Sequence, residues 1–214
     1  MNKLFINTVS AAMLGIIKKL TADEKLAEFR LIGGTALALQ LGHRKSIDID
    51  LFSEKPFNVF QMFEHLHTHY SYVQRNFSEQ GTKGYIGLIQ CDIFNHNNKW
   101  IDEPEIIEGV RMASIKEIAA MKIYAIIQSN GTRLKDFADV AFLTGKLSLQ
   151  QILQAFQEKY SGISDTLALK SLFYFDNINF DAPVHYLTGK VTWTQLKSRF
   201  DMMQQHPDKI FEPL

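Results

Sequence analysis

Two segments, Leu31-Ile32-Gly33-Gly34-Thr35 and Ser46-Ile47-Asp48-Ile49-Asp50-Leu51-Phe52, carry most of the information about this fold. In the first, a short apolar run ends at a glycine pair and leads into residues 35–41. Those residues suit a short helix that Gly42 ends. In the second, polar and apolar residues alternate, as in a strand with one buried face. The two segments together predict a strand, a glycine turn, a helix and a second strand.

The two aspartates of the second segment are expected to act together. Alternate side chains of a strand share a face, so Asp48 and Asp50 point the same way, while Ile47, Ile49 and Leu51 are expected in the core. Two neighbouring carboxylates repel each other unless a cation lies between them, and Mg²⁺ (or Mn²⁺) prefers such oxygen ligands. An exposed strand face that happens to carry two acids is the alternative for an isolated pair.

The glycine pair can also be interpreted in two ways, as a phosphate-binding turn or as a plain tight turn. Backbone N–H groups at a strand-to-helix junction approach phosphate closely at Gly33 and Gly34, and the helix N-terminus favours negative charge. Thr35 would cap that helix or bind phosphate through its hydroxyl group. A plain tight turn is the alternative for this short motif.

A third carboxylate stands in a later apolar strand, Gln90-Cys91-Asp92-Ile93-Phe94. An acid in the middle of such a strand is costly unless it is paired or bound to metal. If this strand lies beside the strand of Asp48, then Asp48, Asp50 and Asp92 converge. Three such carboxylates suit metal-assisted phosphoryl transfer.

The remaining pattern predicts an α/β (α+β) fold in two parts. A sheet domain is expected over residues 1–105 and a helical domain over residues 106–214, with the change of character near Pro104. Further strands are predicted at 29–32, 72–77 and 84–94. Helices are predicted at 5–20, 57–70, 115–128, 136–145, 148–159, 164–174 and 191–204.

Composition indicates a soluble protein of the cytoplasm. Hydrophobic residues make up 46% of the chain, and 23 basic residues balance 23 acidic ones. A zero net charge does not indicate nucleic-acid binding by bulk charge, although a local basic groove remains compatible with it. The single cysteine, Cys91, excludes an internal disulfide, and no apolar run is long enough to span a membrane.

The motifs resemble those of the nucleotidyltransferase superfamily with the polymerase β fold. The pattern is Ile32-Gly33-Gly34, then Ile47-Asp48-Ile49-Asp50-Leu51, then Asp92 in a later strand. The wider match is similar to the AbiEii/AbiGii-type nucleotidyltransferase toxin family. It rests on residues 33–39, 42–44, 46–52, 114–122 and 135–139.

The resemblance implies a nucleoside triphosphate (NTP) as substrate, Mg²⁺ or Mn²⁺ as cofactor, and metal binding by Asp48, Asp50 and Asp92. It also implies nucleotide binding by Gly33, Gly34, Thr35, Lys122, Lys135 and Asp136. Arg44 and Ser46 flank the entry to the second strand: Arg44 is a candidate for a triphosphate contact, and Ser46 would bind phosphate or merely form the turn. Lys122 lies on an apolar helix stripe, where its amine would bind phosphate in a cleft or reach solvent. Asp136 would orient Lys122 or Arg133, and Asp139 is expected on an exposed face, paired with Lys135.

The implied function is transfer of a nucleoside monophosphate to an acceptor hydroxyl, on an RNA such as transfer RNA or on a protein. Members of this family typically act as bacterial toxins, so a cognate antitoxin is an expected partner. Two alternatives stay open: a catalytically inactive nucleotide-binding or antitoxin-partner protein, and a small-molecule nucleotidyltransferase of the aminoglycoside-modifying kind.

Overall fold

The structure, a computed structural model, describes residues 3–214, so Met1 and Asn2 of the predicted first domain lie outside the described residues. Within this range the chain forms seven strands and eight α-helices. The strands are β1 (Arg30–Leu31), β2 (Asp48–Ser53), β3 (Tyr72–Ser78), β4 (Gly81–Ile86), β5 (Ile89–Asn95), β6 (Glu105–Ile107) and β7 (Val110–Met112). The helices are α1 (Ala11–Ala22), α2 (Gly33–Leu41), α3 (Val59–Tyr70), α4 (Ile115–Gln128), α5 (Leu134–Leu143), α6 (Leu149–Lys159), α7 (Asp165–Leu172) and α8 (Trp193–Gln205).

All seven strands belong to one sheet in the order β3-β4-β5-β2-β1-β7-β6. The α/β (α+β) class predicted from the sequence is confirmed. The sheet continues to Met112, past residue 105 where the first domain was predicted to end, because β7 pairs in parallel with β1 through Leu31 and Met112. The pair β6 and β7 was missed, since both strands have only three residues and carry no clear alternation.

Two other predicted elements are divided in the structure. The helix predicted over 5–20 is a 3-10 turn at Ile6–Thr8 followed by α1, because the Ser10 hydroxyl accepts a hydrogen bond from Met13 N and starts a new helix. The strand predicted over 84–94 is β4 and β5. Gly87, with φ of +60°, lets the chain reverse between them.

The main hydrophobic core joins the sheet to the helices that follow it. Ile49, Leu51 and Ile93 of the sheet and Ile118 and Ile123 of α4 belong to the same buried cluster. Ile47 was predicted in this core, but it is 80% exposed. The reason is that β2 begins only at Asp48, so Ile47 still lies in the preceding turn.

The turn before β2 is held by a segment from the far end of the chain. Lys45 N donates to the His185 carbonyl oxygen (2.8 Å), and Leu187 N donates to that of His43 (2.9 Å). Arg44 and Tyr186 form the bridge between these two bonds. No helix within residues 3–214 is long and apolar enough to cross a membrane.

Candidate active site

The register of two strands brings the predicted carboxylates together. Strands β2 and β5 run parallel, and their pairing sets Asp48 opposite Gln90 and Asp50 opposite Asp92. Paired residues of neighbouring strands point to the same face, and Asp48 and Asp50 share it because they are two residues apart. This face therefore carries all three acids, which we call the carboxylate cluster (Asp48, Asp50 and Asp92).

The carboxylate cluster has two lysines within 4 Å, Lys83 at 3.6 Å from Asp92 Oδ2 and Lys135 at 3.8 Å from Asp48 Oδ2, and both are about half exposed. Asp50 is in no ion pair among residues 3–214. Burial, and then the charges of Asp48 and Asp92, raise the pKa of Asp50 to about 7. Burial also raises the pKa of Asp92, although Lys83 and Gln90 oppose this change. Asp92 Oδ1 is buried without a hydrogen-bond partner among residues 3–214. Such a group of oxygens favours the approach of a cation.

The oxygen donors fit a hard divalent cation that completes its shell with other ligands. Within the described part of the chain, no group of three His, Cys, Asp or Glu side chains is arranged to hold a metal by itself. Magnesium does not need such a cage, because it keeps several waters and binds through one or two carboxylates plus substrate phosphates. The carboxylate cluster supplies ligands of this kind, and Asp50 lines a cleft.

The glycine pair is required by two close approaches. Gly33 has φ of +70°, and a Cβ atom there would lie 3.0 Å from Asp50 Oδ2. A Cβ atom at Gly34 would lie only 2.3 Å from Arg44 Nη2. The N-terminus of α2 therefore lies beside the carboxylate cluster with a guanidinium group beneath it, an arrangement suited to phosphate.

The two hydroxyl groups predicted to bind nucleotide are buried. Thr35 Oγ1 lies 2.8 Å from Ser46 Oγ and 2.5 Å from the carbonyl oxygen of Asp48. Because α2 begins at Gly33, Thr35 lies inside its first turn and does not cap it. Both hydroxyls thus hold the start of β2 against α2. They position the backbone of Asp48 and are not free to contact a ligand.

Asp139 contradicts the prediction of an exposed, salt-bridged face. It is fully buried, and its carboxylate contacts Arg44 Nε (2.6 Å), His43 Nε2 (2.8 Å) and Lys122 Nζ (2.6 Å). Burial favours its neutral form, but the Arg44 and Lys122 cations outweigh this effect and hold its pKa well below the ordinary value. We call this group the Asp139 cluster (Asp139 with His43, Arg44 and Lys122).

Two of the predicted phosphate-binding cations belong to the Asp139 cluster. Arg44 is 4% exposed, with Nε and Nη2 both on Asp139, so its predicted direct contact with triphosphate is replaced by a supporting position under Gly34. Lys122 is also 4% exposed, so its amine does not reach solvent. It lies 2.8 Å from Asp136 Oδ1, and Asp136 also contacts Arg133 Nε at 2.9 Å.

Lys135 lies on the other side of the site. Its predicted pairing with Asp139 is wrong, because its amine instead lies 3.8 Å from Asp48 Oδ2. The side chain is 43% exposed. Lys135 is therefore a solvent-exposed cation beside Asp48, whereas Lys122 is a buried one paired with Asp136 and Asp139.

A cleft of about 610 Å³ borders one member of each cluster, Asp50 and Lys122, and its size is within the range of small-molecule sites. Gly33, Asp50, Lys122 and Arg133 form one part of its lining. The opposite part contains residues that the sequence analysis missed: His96, Asn97, Asn98, Tyr124 and Tyr160. Their sequence neighbourhoods carry no common signal, because they come from a loop, from α4 and from the residue that follows α6.

Within this wall, burial and then the charge of Lys159 lower the pKa of His96 to about 4, so His96 is neutral at pH 7. Its Nε2 lies 3.1 Å from the Tyr160 hydroxyl, and the Tyr160 ring stacks on Tyr124 with centroids 4.4 Å apart. A larger cavity of about 860 Å³ lies among α6, α7 and α8, away from every predicted site residue.

Comparison with solved structures identifies the fold. A candidate nucleotidyltransferase from H. pylori superposes with a TM-score of 0.55 and 20% identity, covering 90% of each chain. The structure of ANT(2")-Ia in complex with adenylyl-2"-tobramycin gives a TM-score of 0.56 and 18% identity, covering 72% of this chain and 100% of the other. The sheet and its helices therefore have the nucleotidyltransferase fold.

Sequence comparison identifies the family. An uncharacterized protein of Aquifex aeolicus (strain VF5) is 34% identical over 157 residues, which is 70% of this chain and 75% of the other. The model of the family described as nucleotidyl transferase AbiEii toxin, type IV TA system, matches residues 16–85 and 89–212. Those residues include every member of both clusters. The chain belongs to the AbiEii family of nucleotidyltransferase toxins.

Proposed function

We propose that this protein transfers a nucleoside monophosphate from an NTP to an acceptor hydroxyl with the help of Mg²⁺. The observation that carries the proposal is the pairing of Asp50 with Asp92 beside Asp48, which sets three carboxylates on one face with the half-exposed Lys83 and Lys135 beside them. The glycine turn at the N-terminus of α2 borders the same space. A triphosphate with its cation fits both features.

In the proposed reaction, the acceptor oxygen forms a bond to the α-phosphorus, and the bond from that phosphorus to the bridging oxygen breaks. Pyrophosphate leaves with the bond's electron pair, and the hydroxyl proton passes to a carboxylate oxygen of Asp92. Bound Mg²⁺ would neutralise phosphate charge and lower the pKa of the acceptor hydroxyl. Asp48 and Asp50 would hold that ion.

The cations of the site have separate tasks in this proposal. Lys122 is fixed by Asp136 and Asp139 next to the cleft, so its charge is available without reorganisation. Lys135 is exposed and would move from Asp48 onto the phosphates when the nucleotide binds. Arg44 supports the Gly34 backbone rather than the substrate.

Substitution of the metal-binding acids tests this proposal. Asp48→Asn and Asp50→Asn should each lower nucleotide transfer by at least about 100-fold. The negative charge that develops on the phosphates during transfer would lose the metal ion that stabilises it. Asp201→Asn is the matched control, since Asp201 is exposed and pairs only with Lys197 on α8. Transfer of radiolabel from each α-labelled NTP to host RNA and protein measures the effect. Undiminished transfer by Asp50→Asn would sink the metal role.

We also propose that the protein is the toxin of a toxin–antitoxin pair, as its family suggests. Induced expression of the wild-type chain in a bacterial host should arrest growth, and Asp48→Asn should relieve the arrest at equal protein level. Growth arrest that persists with Asp48→Asn would point away from enzymatic toxicity. Calorimetry that detects NTP binding without any transfer would favour the inactive alternative.

A further inference from the structure

The β5–β6 loop (residues 96–104) forms part of the wall of the cleft. Its first three residues, His96, Asn97 and Asn98, line the cleft. The paired ladder of β2 and β5 ends one residue earlier, at Asn95. Backbone N–H and C=O groups that are shielded from water need hydrogen-bond partners, and beyond the ladder these must come from other parts of the chain. The position of this wall therefore depends on the groups that supply those partners.

Charged side chains hold the backbone of the next four residues of the β5–β6 loop. Each of residues 99–102 has one backbone group bonded to a charged side chain from another part of the chain. The bonds are Lys159 Nζ to Lys99 O (3.1 Å), Trp100 N to Glu54 Oε2 (2.8 Å), Ile101 N to Glu117 Oε2 (2.8 Å) and Arg30 Nη1 to Asp102 O (2.6 Å). The centroid of the Trp100 ring also lies 4.4 Å from the Arg30 guanidinium and 4.9 Å from the Lys159 amine. The loop is therefore held by side chains rather than by a strand ladder.

Two of these charged side chains, Glu117 of α4 and Lys159 of α6, form an ion pair with each other. Both side chains are 0% exposed. Removal of two charges from water is costly, and apolar residues of similar size often stabilise a protein equally well in place of a buried ion pair. Packing alone therefore does not require the pair. Apolar residues could not replace its hydrogen bonds to the backbone of Lys99 and Ile101.

The ion pair also joins the three segments that form this wall of the cleft. Glu117 lies on α4, which carries Tyr124, and Lys159 is followed directly by Tyr160. Both tyrosines line the cleft together with His96, and their rings stack on each other. The Tyr160 hydroxyl lies 3.1 Å from His96 Nε2, so it connects the end of α6 with the loop. A loop that moved away from α4 and α6 would break this contact and change the shape of the wall.

We propose that Glu117 and Lys159 are positioning residues, which hold the β5–β6 loop in place and thereby set the wall of the cleft that contacts the nucleotide. The inference rests on the proposed nucleotidyl transfer. Neither of the two buried side chains is among the residues that line the cleft, so neither touches the substrate. The acids proposed to hold the metal lie on the sheet instead. Loss of the pair should therefore weaken NTP binding and leave the rate of the chemical step nearly unchanged.

A double substitution, Glu117→Leu with Lys159→Met, tests the proposal on the whole protein. It replaces the ion pair with apolar side chains of similar volume, so the protein should keep its fold while Lys99 and Ile101 lose their partners. Amide hydrogen exchange in residues 97–102 should become faster by at least about 10-fold. KM for the NTP should rise by about 10-fold, whereas kcat should stay within about threefold of the wild-type value.

The control is an exposed ion pair that lies one residue earlier on each of the same two helices. Lys116 Nζ lies 3.0 Å from Glu158 Oε2, and their side chains are 34% and 47% exposed. Lys116 also lies 3.9 Å from Asp102 Oδ1, but this contact is made to a side chain and not to the loop backbone. The double substitution Lys116→Gln with Glu158→Gln should therefore leave loop exchange, KM and kcat unchanged.

A further variant keeps the test decisive if the first double substitution disturbs folding. Trp100→Leu leaves the ion pair in place and removes the ring that the Arg30 and Lys159 cations contact, so it should change loop exchange and KM in the same direction. Unchanged loop exchange, or an unchanged KM with a lowered kcat, would overturn the positioning role.

Calorimetric titration of NTP distinguishes failure of this inference from failure of the proposed function. Equally tight NTP binding by the wild type and the Glu117→Leu, Lys159→Met variant would contradict only the positioning role of the pair. Absence of NTP binding by the wild type would contradict nucleotidyl transfer itself, and with it any wall set for a nucleotide.

Discussion

The carboxylate cluster and the Asp139 cluster both border the glycine turn, but their charges are balanced in different ways. In the carboxylate cluster, like charges face each other and raise the pKa of Asp50 to about 7. In the Asp139 cluster, Arg44 and Lys122 hold the pKa of Asp139 well below its ordinary value. One cluster is electrostatically incomplete, and the other is complete within the chain.

This difference in charge balance indicates that the carboxylate cluster is suited to bind a ligand and the Asp139 cluster is suited to stabilise the fold. An incomplete cluster gains most from a ligand that brings positive charge, so the carboxylate cluster is where we propose that a cation and its phosphates bind. A complete, buried cluster gains little from any ligand, but removal of one member leaves the others charged and desolvated. Substitutions in the two clusters are therefore expected to change stability in opposite directions.

The largest effect is expected at Asp139. The substitution Asp139→Asn leaves Arg44 and Lys122 buried without their shared counter-charge, so the free energy of unfolding should fall by about 3–5 kcal/mol. Urea denaturation followed by circular dichroism measures the change. Asp201→Asn, which breaks only an exposed pair with Lys197, should cost less than about 1 kcal/mol. A loss at Asp139 as small as that of the control would contradict a supporting role.

At Asp50 the expected change in the free energy of unfolding has the opposite sign. Because the folded pKa of about 7 lies above the ordinary value of 3.8, protonated Asp50 contributes stability at low pH that is lost as the pH rises through 7. Asn does not titrate, so metal-free Asp50→Asn should exceed the wild type in stability by roughly 2 kcal/mol at pH 8, and by much less at pH 4. Thermal unfolding in a chelator at both pH values measures this. A variant less stable than the wild type at pH 8 would disprove the repulsion.

Gly34→Ala probes the contact between the turn and the Asp139 cluster. The new methyl group would lie 2.3 Å from Arg44 Nη2, and displacement of the guanidinium should cost about 1–3 kcal/mol of stability. Gly15→Ala in α1 is the control, because its methyl group meets no atom within 4 Å. Alanine should stabilise that helix by about 0.5–1 kcal/mol. Similar effects of both substitutions would show that Arg44 does not restrict Gly34.

The smallest change in stability is expected at Lys135. The substitution Lys135→Gln removes an exposed amine 3.8 Å from Asp48 Oδ2, so the free energy of unfolding should change by less than about 1 kcal/mol. NTP affinity should nevertheless fall several-fold, because this cation is proposed to move onto the phosphates. Calorimetric titration of NTP compares it with Lys197→Gln. Equal affinities in the two variants would remove Lys135 from the nucleotide site.

The sequence predicted the carboxylate cluster better than the Asp139 cluster. Asp48, Asp50 and Asp92 stand in short apolar strands, where alternation fixes the face of each side chain without knowledge of distant residues. Asp139, in contrast, has Lys135 four residues before it, a spacing typical of an exposed salt bridge. Its true partner Arg44 is 95 residues away. Local periodicity carries no information about such a contact.

The other differences have the same physical origin. Ile47 fits the alternation of β2, yet the hydrogen-bonded ladder begins one residue later and leaves it in solvent. His96 and Tyr160 line the cleft, but they come from segments whose meeting depends on how α6 packs. Sequence patterns identify the face of an element, whereas tertiary packing determines what covers that face.

The pairing of residues 43–45 with residues 185–187 has a consequence for synthesis. A ribosome releases the strands with their acidic side chains early, but the segment that holds the Arg44 turn emerges much later. The nascent chain therefore contains Asp48, Asp50 and Asp92 long before it contains the segment that pairs with the Arg44 turn. For an enzyme proposed to act on its host, such an order of assembly would delay activity until residues 185–187 have left the ribosome.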